Sequence, residues 1–211
     1  MDGVTAAAIL SEGIRALGGD VIVHIPNRFE DGYGLTRAGV RAVRDRGATL
    51  LVSVDCGINA NPEIDYAAEL GVGVVVLDHH EPPAVLPHAD AIVDPKLGGG
   101  PPEFDGLASV AWRSPRCARS TPPPAWRSMK APYLELAALG TVADMVPLAG
   151  ENRRLVREGL KALAASRRPG VQALLAAAAV PAAKVTAEAI GYRLAPRINA
   201  AGRLRARGAG P

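Results

Sequence analysis

Apolar residues along the chain form short continuous runs that alternate with amphipathic stretches. Runs at residues 49–54, 72–77 and 91–93 are rich in valine, isoleucine and leucine, as is a shorter run at 21–25, and this pattern is typical of buried parallel strands. Helical patterns at residues 6–17, 36–46 and 61–70 separate or precede these runs. The alternation predicts an α/β fold with a doubly wound, mostly parallel sheet flanked by helices.

The second half of the chain has a different pattern. Helical periodicity predicts helices at residues 133–139, 151–164, 170–179 and 186–194, with a turn at 140–148. Residues 112–132, by contrast, combine five prolines with five scattered cations and show no core-forming period. Two explanations stay open for that segment, a genuine insertion or an error in the sequence.

Charge divides the chain unevenly. Residues 151–211 carry twelve Lys and Arg against three Glu, whereas residues 1–150 carry twelve against eighteen acidic residues. An acidic part followed by a basic part suits a metal site beside a polyanion-binding surface, although GC-rich codon usage would also enrich Arg. The sequence shows no secretory signal and no membrane span, and Cys56 and Cys117 form no disulfide or zinc pattern. We therefore expect a cytoplasmic protein with no membrane partner.

Acidic and imidazole side chains stand where predicted elements end. The run at 72–77 is followed by Asp78-His79-His80, and the run at 49–54 is followed by Asp55. Because ligands bind at the carboxyl edge of parallel sheets, these residues are candidates for a site, with Asp2 and Asp144 as further acids near helix ends. Carboxylates with imidazole favour Mn²⁺ or Mg²⁺ over a structural zinc ion. Any one of these acids alone is more often a cap or turn residue, and Asp2 is placed to cap the helix at 6–17.

Five motifs in a fixed order carry a resemblance to a known family. They are Asp2-Gly3-Val4-Thr5, Asp55-Cys56-Gly57-Ile58, Asp78-His79-His80, the stretch from Gly140 to Leu148, and the stretch from Arg193 to Leu204. Together they resemble the motifs of the DHH phosphoesterase superfamily, and the last is typical of its RecJ-type, single-strand-specific exonucleases. The resemblance covers nearly the whole chain apart from residues 112–132. It implies a metal-dependent 5′ to 3′ exonuclease on single-stranded DNA in DNA repair and recombination.

The resemblance also implies roles for individual residues. Asp55 would bridge two Mn²⁺ or Mg²⁺ ions, and Asp2, His79 and Asp144 would complete the coordination of one ion. Asp78 would orient His79 through a hydrogen bond without binding a metal ion itself. The residues implied to take part in catalysis are Asp55, His79 and His80. The residues implied to hold substrate phosphates are His80, Arg28, Arg197, Asn199 and Arg203, and the alternative for the arginines near the end of the chain is a solvated basic tail.

The sequence departs from the family pattern at both ends. The family's first motif is Asp-x-Asp-x-Asp-Gly, and only its last acid is found here, as Asp2. We expect a DHH domain at 1–165, then a helical connector at 166–211 that begins a nucleic-acid-binding domain. On this interpretation the chain is a fragment in which one metal site is weak or lost and activity is reduced or absent. Two alternatives remain: a DHH phosphodiesterase or pyrophosphatase acting on small phosphate compounds, and a catalytically dead module that binds nucleic acid.

Overall fold

The structure, a computed structural model, describes residues 1–26, 32, 34–98, 106, 108 and 133–201. The helices are α1 Asp2–Ala16, α2 Arg37–Asp45, α3 Asn61–Glu69, α4 Leu134–Ala143, α5 Gly150–Ala164, α6 Pro169–Ala177, α7 Ala187–Ala189 and α8 Ala195–Ala201. The strands are β1 Leu50–Val54, β2 Gly73–Leu77 and β3 Ala91–Val93. Short 3-10 helices occur at Pro95–Leu97 and Ala182–Lys184, and a π-helical turn at Ile190–Leu194. Residues 112–132, with the open question they raise, lie outside the described residues.

The three described strands form a parallel sheet with the order β1-β2-β3. Val74 and Val76 are buried on one face of β2, where they pack with Val40 of α2 and Ile64 of α3. Val54 lies on the opposite face and packs against the cluster formed by α1, α4 and α5. Helices thus cover both faces, and the predicted α/β fold with a parallel sheet flanked by helices is confirmed.

The register places three acids at one edge of the sheet. Val54 pairs with Leu77, and Leu77 pairs with Val93, so all three strands end at the same level. The residues that follow are Asp55, Asp78 and Asp94. Backbone hydrogen bonds continue one step beyond the strands, from Asp55 N–H to the Leu77 carbonyl at 3.0 Å and from Asp78 N–H to the Val93 carbonyl at 3.1 Å. The side chains that follow the strands therefore start from a fixed backbone.

Two predictions at the start of the chain are wrong. Residues 21–25 form no strand; they line a groove of about 580 Å³ together with residues of β1. Helix α1 begins at Asp2 rather than at residue 6, and the N-cap position is Met1, with no side-chain cap hydrogen bond. Asp2 is therefore not the cap, and its carboxylate is buried.

The helical half differs from prediction at two turns. Residues 140–143 continue α4 instead of forming part of a turn. The last helix does not end at Leu194, because α7, the π-helical turn and α8 follow each other without a break and carry the chain past Pro196. Proline has no N–H to donate, and Pro196 is the second residue of α8, directly after the π-helical turn.

Helix α4 is the centre of the helical half. It packs against α1 on one side and α5 on another, and the contact with α5 is close because Gly159 lies there. A Cβ at Gly159 would come within 2.4 Å of Ala138 Cβ and of the Leu134 carbonyl oxygen. A second apolar cluster joins Leu139 and Leu163 to α6 and to the π-helical turn. No described helix combines the length and the apolar character that crossing a membrane requires.

Candidate metal centre

Asp55 stands at the end of β1 in a left-handed backbone conformation, with φ of 60°. Its Oδ2 accepts a hydrogen bond of 2.8 Å from the N–H of Gly3, in the first turn of α1. Its Oδ1 lies 3.2 Å from His79 Nε2. A Cβ on Gly3 would approach Asp55 Cβ to 3.1 Å, so a glycine lets α1 come this close to the strand end. One carboxylate therefore joins the start of α1 to the histidine that follows β2.

The buried carboxylate of Asp78 accepts hydrogen bonds from both histidines that follow it. Its side chain is only 1% exposed, and its Oδ2 accepts the Ile58 N–H at 3.0 Å. Its Oδ1 accepts the N–H of His79 at 2.8 Å and lies 2.6 Å from His80 Nδ1. Burial opposes ionisation of Asp78, but the Ile58 N–H and the His80 ring outweigh it and lower its pKa. Since an ionised carboxylate only accepts hydrogen bonds, His80 must carry its proton on Nδ1 here, which leaves Nε2 for other partners.

His79 Nε2 faces two acids. It lies 3.2 Å from Asp55 Oδ1 and 3.4 Å from Asp144 Oδ2. Burial acts to lower the pKa of His79, but the hydrogen bond to Asp55 and the charges of Asp144, Asp55 and Asp2 outweigh it, so the pKa is raised. A proton on His79 Nε2 lies where a cation would bind between this nitrogen and the carboxylates of Asp55 and Asp144.

Four side chains converge around that point. Asp2, Asp55, His79 and Asp144 each offer one ligand atom, and these atoms lie within 4.8 Å of one another. Asp144 stands at the C-terminal end of α4, where burial raises its pKa. Its buried Oδ2 accepts no hydrogen bond of good geometry from the described residues, although His79 Nε2 lies 3.4 Å away. Three carboxylates and an imidazole fit Mn²⁺ or Mg²⁺, which accept oxygen-rich ligand sets.

A second set of three ligand atoms overlaps the first. Asp55, His79 and His80 also have ligand atoms within 4.8 Å of one another. The two imidazole rings have centroids 4.8 Å apart, with 49° between their planes. Asp55 and His79 belong to both sets, which is the arrangement that a carboxylate shared by two ions would need.

Of the other residues predicted to hold phosphates, Arg197 and Asn199 lie within the part of the chain that the structure describes. Arg197 donates from Nε to the Ala177 carbonyl at 3.3 Å and from Nη1 to the Arg193 carbonyl at 2.6 Å, so it lies at the C-terminal end of α6. Asn199 is exposed on α8. Arg28 and Arg203 lie outside the described residues. The phosphate-binding role of these four residues stays a prediction.

Two residues near the cluster were missed by the sequence analysis. Asp94 follows β3 as Asp55 follows β1, and it is buried with its Oδ1 accepting the Lys96 N–H at 2.8 Å. Burial, followed by the charge of Asp78, raises its pKa. Its position directly after a predicted strand was the signal for it. Asn152 is buried near the Asp144 loop, and only the structure reveals its contacts with Gly106 and Pro147.

Cys56, next to Asp55, is not a candidate nucleophile. Burial and then the charges of Asp78 and Asp55 raise the pKa of its thiol to about 12. The thiol therefore stays protonated at neutral pH and offers neither a thiolate nucleophile nor a strong metal ligand.

The relatives found by comparison with known proteins agree with one another. The family model "DHH family, N-terminal domain" matches residues 1–141. The single-stranded-DNA-specific exonuclease RecJ of Escherichia coli K12 is 41% identical over 215 residues, covering 96% of this chain and 37% of the relative. RecJ of Thermus thermophilus is 39% identical over 206 residues, covering 96% of this chain and 29% of the relative. The chain thus spans well under half the length of these curated relatives.

Solved structures show the same likeness. A crystal structure of exonuclease RecJ bound to manganese superposes with a TM-score of 0.78 at 38% identity, covering 96% of this chain and 50% of that one. RecJ from Thermus thermophilus in complex with Mn²⁺ gives a TM-score of 0.73 at 35% identity, covering 96% and 28%. A Mg²⁺ complex of RecJ from the same organism gives a TM-score of 0.60 at 32% identity, covering 96% and 25%.

Proposed function

This chain belongs to the DHH family, and from that premise we propose that it is a metal-dependent phosphodiesterase of the RecJ type, with Mn²⁺ or Mg²⁺ as its cofactor. Its substrate is single-stranded DNA, degraded from the 5′ end, and its setting is DNA repair and recombination in the cytoplasm. The similarity to RecJ over 96% of the chain supports this proposal. The division into a DHH domain at 1–165 and a connector at 166–211 is part of the same proposal.

One observation carries the proposal: ligand atoms of Asp2, Asp55, His79 and Asp144 lie within 4.8 Å of one another at the carboxyl edge of the sheet. Three of the four are carboxylates, and a cation bound among them would offset the repulsion between their negative charges. When bound, Mn²⁺ or Mg²⁺ supplies Lewis acidity, which favours ionisation of water and offsets the charge of a phosphate group.

The protein's own side chains would bind the cation, orient the imidazoles and contact the phosphate. Asp55 and Asp144 would hold the cation from two sides of His79 Nε2, and Asp2 would approach from the start of α1. Asp78 accepts the backbone N–H groups of His79 and His80 and contacts the His80 ring at Nδ1, while Ile58 N–H holds its other oxygen. His80, with Nδ1 bound to Asp78 and its side chain 41% exposed, presents Nε2 to a phosphate oxygen.

The metal site is tested by calorimetric titration with Mn²⁺. The wild-type chain is expected to bind Mn²⁺, and Asp144→Asn is expected to weaken binding by about tenfold or more, since it removes a charged ligand. Asp65→Asn is the matched control, because Asp65 also lies within hydrogen-bond distance of a histidine but at an exposed position on α3. Equal Mn²⁺ affinity in wild type and Asp144→Asn would refute the assigned site.

The activity is tested with a labelled single-stranded oligodeoxynucleotide, with Mn²⁺ or with a chelator. Release of mononucleotides from the 5′ end that requires the metal is the expected result, and Asp55→Asn should abolish it. Cleavage of dinucleotides or pyrophosphate alone would point to a phosphodiesterase or pyrophosphatase for small compounds. DNA binding without Mn²⁺ binding or hydrolysis would point to an inactive nucleic-acid-binding module.

A further inference from the structure

Met145 combines two unusual features directly beside the candidate metal centre. It is 89% exposed, the highest value among the large apolar residues that the structure describes as exposed. Its backbone is in the left-handed region, with φ of 61°. It follows Asp144, whose Oδ2 lies 3.4 Å from His79 Nε2. The next residue after a candidate ligand thus presents an apolar side chain to solvent.

The left-handed conformation at Met145 is costly for this residue type. Helices often end in this conformation, but at that position they usually place glycine or asparagine, which lack the steric penalty. Strained backbone at a non-glycine residue is a recognised sign of a functional constraint. The surrounding contacts explain how the strain is sustained: Met145 N–H donates to the Val142 carbonyl at 3.2 Å, and Asn152 Nδ2 donates to the Pro147 carbonyl at 3.0 Å. They do not explain why a methionine is used.

We propose that Met145 is a substrate-contact residue that packs against the sugar and base of the nucleotide whose phosphate meets the metal centre. This inference rests on the proposed function and adds a residue to it. A phosphate bound to a cation among Asp55, His79 and Asp144 would lie beside the loop that begins at Asp144, and its nucleoside would then be close to the next residue, Met145.

The chemistry of methionine suits a substrate of variable sequence. The thioether is flexible and polarizable, and it makes favourable contacts with aromatic rings of any shape. Proteins that bind single strands without sequence preference commonly stack bases on aromatic side chains, yet only 4% of this chain is aromatic. An exposed methionine at the metal edge provides a comparable contact without selecting one base.

The test distinguishes the effect of the Met145 side chain from the effect of its strained backbone. Met145→Gly removes the side chain and relieves the strain, and Met145→Leu keeps an apolar side chain of similar size. For Met145→Gly we expect an unchanged or higher melting temperature, unchanged Mn²⁺ affinity, and a KM for single-stranded oligodeoxynucleotides raised about five- to tenfold. Met145→Leu should keep KM within about twofold. Leu148→Ala, in the same loop, is the matched control and should leave KM unchanged.

A modified substrate sharpens the result. With an oligodeoxynucleotide that lacks the base at its 5′-terminal nucleotide, wild type should lose affinity, measured as a raised KM in the presence of Mn²⁺. Met145→Gly should no longer distinguish the two substrates. Equal discrimination by wild type and Met145→Gly would overturn the proposed contact, as would a KM increase matched by Leu148→Ala. A wild-type chain that neither binds nor hydrolyses the oligonucleotide would instead refute the proposed function itself.

Discussion

Arg168 connects three helices through two acids, and its removal gives a quantitative test of how the helical half is held to the rest. Its Nη1 and Nη2 donate to the two carboxylate oxygens of Glu12 in α1 at 2.7 and 2.9 Å. Its Nε lies 2.6 Å from Glu135 Oε1 in α4. The guanidinium also lies over the Tyr133 ring, 5.7 Å from its centroid. Arg168 itself stands at the N-cap position of α6, so one side chain links α1, α4 and α6.

The expected magnitude lies between those of surface and buried ion pairs. Exposed pairs contribute about 0.2–1 kcal/mol, and breaking a fully buried pair costs about 3–5 kcal/mol. Here the side chains of Arg168, Glu12 and Glu135 are 28%, 39% and 8% exposed. Solvent screens the Glu12 pair in part, whereas the buried Glu135 would lose its guanidinium partner. We therefore expect Arg168→Met to lower the free energy of unfolding by roughly 2–3 kcal/mol.

Urea unfolding followed by circular dichroism at neutral pH measures this loss, and Arg167→Met is the control because Arg167 is exposed beside it. A double-mutant cycle with Glu12→Gln should give a coupling energy of about 1–2 kcal/mol. If Arg168→Met costs no more than Arg167→Met, or if the coupling is near zero, the network does not hold these helices together.

The pH dependence of the coupling follows from Glu12. The hydrogen bond from Arg168 lowers the pKa of Glu12 below its ordinary value of 4.5, against the smaller opposing effect of burial. A lowered pKa in the folded state contributes stability that is complete above the unfolded value and is lost as pH falls through the folded one. The coupling between Glu12 and Arg168 should therefore persist from neutral pH to about 4.5 and disappear only in more acidic solution.

Two further substitutions probe the support of the metal centre. Asp78→Asn should lower the free energy of unfolding by roughly 2–3 kcal/mol, because an amide N–H₂ would face donors that now meet a carboxylate. The exposed Asp65→Asn is the control and should cost less than about 0.5 kcal/mol in the same urea experiment. Asn152→Leu should weaken Mn²⁺ binding about tenfold in calorimetry, because the carbonyls of Gly106 and Pro147 lose their donor and the Asp144 loop is released. Unchanged Mn²⁺ affinity would show that the loop needs no such support.

The parallel core could be predicted because its signals are local. Valine-rich runs, the Thr36 cap and the proline at the start of α3 each determine an element through neighbouring residues, and β1, β2, β3, α2 and α3 are confirmed within a few residues. The run at 21–25 has the same composition, but pairing needs a strand within hydrogen-bonding distance, and composition does not report distance. The helix predicted at 186–194 is longer in the structure, because α7, the π-helical turn and α8 follow one another without a break, and a local pattern does not report that continuity.

The candidate site was predicted in part. Motif order pointed to Asp2, Asp55, His79 and Asp144, and the structure brings these four together, although their roles as ligands stay a prediction. The Asn152 contacts could not be predicted, because Nδ2 bridges carbonyls 46 and 5 residues away in sequence. Such contacts depend on how α5 packs against the Asp144 loop, and no local pattern encodes that packing.

Consecutive histidines pose a geometric problem that Asp78 solves. In an extended strand, neighbouring side chains point to opposite faces, so two adjacent imidazoles could not serve one edge. Here β2 ends at Leu77, and Asp78 Oδ1 accepts both the His79 and the His80 backbone N–H groups, at 2.8 and 3.3 Å. The chain therefore turns around a single buried carboxylate oxygen, which lets both rings lie on the same side. One ring faces Asp55 and Asp144, while the other is held through Nδ1 by the oxygen that made the turn. The acid that would bind no metal is thus the residue on which the positions of both imidazoles depend.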